Sequence, residues 1–313
     1  MTIRSRCVAP LLVPALSLAC AAPSSAPAPV VAPLETVLDH GCFFVTLVAN
    51  GREPLLFLLD TGANASAIDT ATAARLALPH AGRTTVDGTL GTIEVDRVRV
   101  DRLAAGRLEA RDLVTTCSDL SGSLVPPGAR LDGILGSDFL ASFAVTLDFA
   151  TPRVTLTKGA LDGDAIGRAI PFQLDDGIVT FDAVLDDGVA TRLRLDTGAS
   201  LFATDDVYLN VTERDWSALR ARDPSLAVVA QLGVSGTGGA ATLDVTRLHS
   251  LALGPLRIDH PFAIVQPSRG YFASPDAHGF FGNNLLEKDR VVVVDYPRRM
   301  LRVGAAAVPV SPR

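Results

Sequence analysis

A basic excess, metal-ligand spacing and a bilayer-length apolar run are all missing from this chain of 313 residues. Lysine and arginine number 28 against 34 acidic residues, a formal charge of −6, which argues against nucleic acid or an anionic membrane surface as a partner. Apolar residues make up 48%, but they come in short runs broken by Gly, Asp and Pro, and none is long enough to span a bilayer as a mature helix. Of the four cysteines none has a partner at Cys-x-x-Cys spacing, and the five histidines form no His-Glu-x-x-His, so neither a metal nor a cofactor is expected. The Gly-rich run at 233–239 matches no phosphate-loop pattern, and Ser235 falls one residue short of a Gly-x-Ser-x-Gly elbow.

What is present is a repeat. Leu55-Leu56-Phe57-Leu58-Leu59 delivers Asp60-Thr61-Gly62-Ala63, and Leu193-Arg194-Leu195 delivers Asp196-Thr197-Gly198-Ala199. Downstream of each comes Gly-apolar-apolar-Gly, as Gly133-Ile134-Leu135-Gly136 and Gly279-Phe280-Phe281-Gly282. A strand-like run ending in Asp plus an aromatic then follows, Ala144 to Phe149 in one half and Val291 to Tyr296 in the other. The aspartates lie 136 residues apart and the glycine blocks 146 apart, so the halves share one order of elements and differ in loop length. Internal duplication explains this most simply.

These motifs resemble those of the aspartic peptidase superfamily. The fourth-position alanine is similar to the retropepsin branch, and two complete copies in one chain resemble the bilobal pepsin arrangement. The resemblance covers roughly residues 34 to 305. It implies a mainly β fold of two pseudo-symmetric, barrel-like lobes with short helices around a central cleft, and it implies an aspartic endopeptidase acting on a peptide or protein. Asp60 and Asp196 would form the catalytic dyad. Thr61 and Thr197 would bond across the lobe interface, while Gly62, Ala63, Gly198 and Ala199 complete the aspartate turns. Ile134, Leu135, Gly136, Phe280, Phe281 and Gly282 would support those turns from beneath. Flaps would lie at 86–93, with Gly88 and Gly91, and at 233–239, with Gly236 and Gly238; neither holds the tyrosine of pepsin flaps.

The chemistry needs two carboxylates close enough that both cannot ionise cheaply, so that one keeps its proton. The ionised partner serves as base for a water and the protonated one as acid for the carbonyl oxygen. A lone aspartate after a strand is often a turn cap; two copies with matching downstream blocks favour a catalytic pair. Ala63 and Ala199 replace the Ser or Thr common in pepsins, whose hydroxyl steadies a carboxylate, so the pH optimum is expected to be less acidic than pepsin's. The competing reading is a non-catalytic bilobal protein that holds a peptide or inhibits another enzyme. A third is a chain whose half-sites pair with another copy; the linked duplication favours a monomer.

Residues 1–20, with Arg4, Arg6 and an apolar stretch, read as an export signal, and 21–33 as a Pro/Ala/Ser linker. Cys20 follows Ser17-Leu18-Ala19, which resembles a lipoprotein signal; lipidation of Cys20 and ordinary cleavage near Ala21 or Ala22 both stay open. The expected location is periplasmic or membrane-anchored through that lipid, otherwise secreted. The lobes are placed at 34–165 and 166–306. Cys42 and Cys117 either bridge within the first lobe or sit as two separate thiols. Strands are expected at 42–49, 55–60, 92–100, 107–115, 145–156, 178–185 and 191–196, with helices at 69–78 and 214–222. His278 stands where the first half has Asp132, suggesting loop support, and Tyr271 and Phe272 either line a subsite or simply pack.

Overall fold

A computed structural model describes residues 28–123, 125–159, 168–199, 206–286 and 291–304. The chain is mainly β, with a few short helices. The signal segment, Cys20 and the expected boundary near 165 lie outside the described residues.

The β-branched and leucine-rich runs form three sheets. An eight-stranded sheet draws all its strands from 36–135 and a ten-stranded sheet draws its strands from 173–281. In each, the strand that carries the aspartate turn pairs in parallel with the Gly-apolar-apolar strand. Pro54–Leu59 lies beside Gly133–Leu135, with Leu59 opposite Leu135, and Val189–Leu195 lies beside Gly279–Phe281, with Leu195 opposite Phe281. Glycine is required there: a Cβ on Gly279 would meet the Leu193 side chain at 2.8 Å, and one on Gly133 the Ala67 carbonyl at 2.6 Å.

The third sheet joins the halves. Its order is Val30–Leu34, Arg153–Lys158, Ala144–Asp148, Val291–Asp295, Met300–Gly304, Arg168–Pro171, so that Ala144–Asp148 of the first half pairs antiparallel with Val291–Asp295 of the second. Val291 through Val294 are all 2% exposed or less, each worth about 1.5 to 3 kcal/mol of burial. The repeated aspartate closing each of these strands caps the turn that follows. Asp148 accepts from the N–H groups of Ala150 and Thr151, and Asp295 from the Arg298 N–H.

Three expectations need correction. Residues 30–33, read as linker, are strand: Val30–Leu34 pairs with Arg153–Lys158 and buries Ala32 and Leu34, with Pro33 tolerated on the sheet edge. The run 145–156 is two strands, Ala144–Asp148 and Arg153–Lys158, reversed at 149–152. The helix at 69–78 is the shorter Thr70–Arg75, capped by the Asp69 carboxylate and ended where Ala77 takes a φ of 50°. The other helix, Glu213–Arg222, opens with a reciprocal Thr212–Asp215 capping box.

Candidate active site

Each aspartate leaves a buried strand and is fixed by its own turn. Asp60 N–H donates to the Leu135 carbonyl at 3.0 Å and Asp196 N–H to Phe281 at 3.0 Å, so both strand ends are stitched to the apolar-apolar-Gly strands. The carboxylate then accepts from the turn behind it. Asp60 Oδ1 takes Gly62 N–H at 2.8 Å and Ala63 N–H at 3.1 Å; Asp196 Oδ1 takes Gly198 N–H at 3.1 Å and Ala199 N–H at 2.9 Å.

The two turns face each other at close range. A Cβ on Gly62 would lie 2.5 Å from Asp196 Cγ, and one on Gly198 2.6 Å from Asp60 Cγ, so only glycine lets the carboxylates share the space. The threonines lock the arrangement. Thr61 N–H donates to Thr197 Oγ1 at 3.0 Å and Thr197 N–H to Thr61 Oγ1 at 3.1 Å, while each hydroxyl donates across to a backbone carbonyl, Leu195 at 2.7 Å and Leu59 at 2.8 Å. Both threonines are fully buried, so all four bonds are made away from water.

Burial raises the Asp60 carboxyl above its ordinary range, against the N–H donors of its turn and the hydrogen bond from Asp196. Burial raises Asp196 well above it too, and the charge on Asp60 adds to the effect. The pair therefore retains one proton where isolated aspartates would both be ionised, and it titrates as a unit.

Beneath the turns the supports differ between halves. Ser137 N–H donates to the Ala63 carbonyl at 2.9 Å, and Ser66 Oγ accepts from Gly136 N–H and donates to Asp138. On the other side, Asn283 Nδ2 reaches the carbonyls of Thr197 at 3.0 Å and Gly41 at 2.9 Å. A Cβ on Gly136 would meet the Ala65 backbone at 2.8 Å. Asn64 Nδ2 donates to Asp176 Oδ2 at 2.6 Å, a further contact between halves. Ser66, Asn64 and Asn283 escaped the sequence reading, although Asn283 directly follows Gly282 and could have been flagged by that position.

Asp132 is a charged anchor. It accepts from Leu56 N–H, Thr72 Oγ1, Arg75 and Arg130. Burial alone would raise its carboxyl, but the Thr72, Leu56 and Arg130 hydrogen bonds and the Arg130 charge outweigh it and hold it below the usual range. His278 makes different contacts from Asp132: its backbone N–H donates to the Tyr271 hydroxyl at 2.7 Å and its ring sits 3.6 Å from Asp175. Burial pushes its pKa down.

Both Gly-rich segments are hairpin tips, between His80–Asp87 and Thr92–Ala105 and between Val228–Gly236 and Gly239–Arg247. They meet. Leu90 N–H donates to the Thr237 carbonyl at 3.2 Å, and a Cβ on Gly91 would stand 2.8 Å from the Gly238 carbonyl. The first tip also rests on the second half, where Tyr271 N–H donates to the Gly88 carbonyl at 2.9 Å. The tips themselves lack a tyrosine, yet one touches them from outside. Phe272 is buried against Phe280.

Cys42 and Cys117 are not bridged. They lie on different sides of the sheet: Cys42 packs with Phe44, Leu120 and Leu131 and places its thiol 3.6 Å from the Gly198 carbonyl, whereas Cys117 packs on the main core. Among the described residues no group of three or more His, Cys, Asp or Glu converges as a metal site.

No curated protein matches the chain. Residues 45–139 match the family model described as aspartyl protease, a span that contains the first aspartate turn, its flap and its supporting glycine block. That match, and a second copy of the same turn set against the first, support membership of the aspartic peptidase superfamily.

Proposed function

We propose that this protein is an aspartic-type endopeptidase in which Asp60 and Asp196 together activate water against a peptide bond. The observation that carries the reading is the mutual approach of the two carboxylates across Gly62 and Gly198, each held by two N–H donors of its own turn. A water held between them loses a proton to the ionised carboxylate as its oxygen attacks the scissile carbonyl. The protonated carboxylate donates to the carbonyl oxygen as it becomes tetrahedral. Collapse of that intermediate breaks the C–N bond and returns a proton to the leaving amine. No acyl-enzyme forms.

The threonine lock supports this by fixing both carboxylates before substrate arrives, so little reorganisation is left for the reaction. The meeting flap tips would close over a bound peptide and exclude bulk water. Because one chain supplies both aspartates, the active unit is proposed to be a monomer acting on peptide or protein substrates. The N-terminal segment supports export, to the periplasm or the medium, with Cys20 as the lipid anchor in the tethered form.

The test is digestion of an unbiased peptide library by residues 28–313, read by mass spectrometry from acid to neutral pH, for wild type, Asp60→Asn and Asp196→Asn. Cleavage abolished in both variants establishes the shared dyad. Folded wild type that cuts nothing at any pH defeats the peptidase reading in favour of a peptide-binding protein, and cleavage surviving either variant moves the site elsewhere.

A further inference from the structure

The halves use different side chains one step back from the dyad. Strand side chains alternate in direction, so the residue two before each aspartate shares its face. In the first half this is Leu58 and in the second Arg194; both are half-buried between fully buried neighbours. Their surroundings follow suit. Leu58 pairs with Phe44 across one strand and with Ile134 across the other, within an apolar cluster completed by Leu56, Leu120 and Leu131. Arg194 pairs with Thr180 and Phe280.

Arg194 occupies a shaped place. Its guanidinium stacks 4.1 Å from the centre of the Tyr271 ring and its Nη2 bonds Asp175 at 2.9 Å, while Tyr271 N–H holds the first flap tip at Gly88. The charge thus lies between the Asp196 strand and the loop on which the flap rests. Its side chain keeps 17% of its surface open, and its Nε has no hydrogen-bond partner among the described residues. Among the described residues Asp175 is the acid that bonds it, and that carboxylate is 43% exposed and lies 3.6 Å from His278.

We infer that Arg194 makes the second-half wall of the cleft a subsite for an acidic side chain, opposite an apolar subsite built on Leu58 and Ile134. The preferred peptide then carries a carboxylate on one side of the cut bond and an aliphatic or aromatic side chain on the other. This rests on the peptidase reading and sharpens it.

The library digestion tests it directly, with Arg194→Leu, which copies Leu58, and Arg194→Lys added. Wild type should enrich Asp or Glu at one position within two residues of the cut and apolar side chains on the other side. In Arg194→Leu the ratio of kcat/KM for paired acidic and apolar peptides should fall about 10- to 100-fold, and Arg194→Lys should restore most of it. Cleavage by wild type without acidic enrichment, or enrichment unchanged in Arg194→Leu, overturns the inference and leaves the peptidase reading standing. A wild type that cuts nothing overturns both. If Arg194→Leu fails to fold, loss of acidic enrichment in Arg194→Gln decides the matter in the same way.

Discussion

The two halves make the same hydrogen bonds at the aspartates and diverge within one layer of them. Turn, threonine lock and parallel support strand recur with hydrogen bonds that differ by a few tenths of an ångström at most. Beneath, the first half uses a carboxylate gripped by Arg75 and Arg130, and the second uses a histidine, a tyrosine and an arginine. The difference shows where each kind of constraint acts. A proton shared between two carboxylates demands equal geometry on both sides, whereas support and lining need only hold the turns still, so duplicated copies drift there.

The largest effect is expected at the dyad itself. Asp60→Asn and Asp196→Asn should each lower kcat by about 10³-fold or more, because neither carboxylate works alone. Unequal losses in a progress-curve assay would show that the halves are not equivalent in the chemistry. Removing one lock hydroxyl, in Thr61→Val or Thr197→Val, leaves a buried N–H and a carbonyl unpaired and should destabilise by about 2 to 4 kcal/mol; matching urea midpoints for the two variants would uphold the symmetry.

One layer out, the halves should part company. Asp132→Ala strands two partly exposed arginines and the Leu56 N–H and should cost about 2 kcal/mol, against less than about 1 for His278→Ala, whose bond to Tyr271 is made by the backbone. Their pH responses should separate as well. His278 is held neutral in the folded state, so its contribution is lost as pH falls below about 6.5, where the unfolded chain takes up a proton. Asp132 has a depressed carboxyl, so its contribution stays until pH falls below about 3.9 and then disappears through its folded pKa. In thermal melts from pH 8 to 3, wild type should therefore lose stability relative to His278→Ala as pH falls below about 6.5.

The flap tips give the smallest contrast. A methyl on Gly88 collides with Thr237, whereas one on Gly236 meets the Thr89 hydroxyl at 3.1 Å and the Leu90 side chain at 3.9 Å. Gly88→Ala should reduce kcat/KM about tenfold and Gly236→Ala by less than about threefold. Comparable effects would mean that the tips need not meet during turnover.

How much of this was legible follows from how local each feature is. The aspartate turns could be read because four consecutive residues encode the N–H donors, the glycine space and the cross-bonding hydroxyl. The Asn50-Gly51 hairpin turn could be read because both residues take positive φ, whereas the corresponding turn of the second half is centred on Asp186 and Asp187, one residue before the Asp187-Gly188 pair. The contacts of Asn64 with Asp176 and of Asn283 with Gly41 could not, since they join positions more than a hundred residues apart. Neither could the separation of Cys42 from Cys117, which depends on which side of a strand each occupies. The strand Val30–Leu34 was hidden by proline and alanine that look like tether, and the reversal at 149–152 by apolar residues on both sides of it.

The sheet shared by the two halves also sets a timetable. One edge of Ala144–Asp148 pairs with Arg153–Lys158 of its own half, but the other finds its partner in Val291–Asp295, and Asp196 is backed by Phe281. During synthesis the N-terminal half leaves the ribosome with one edge waiting, and the second aspartate turn has no floor until residues near 281 have followed. The dyad is thus among the last features to be completed, and a nascent chain carries no working pair of carboxylates while most of its own length is still unfolded and open to cleavage.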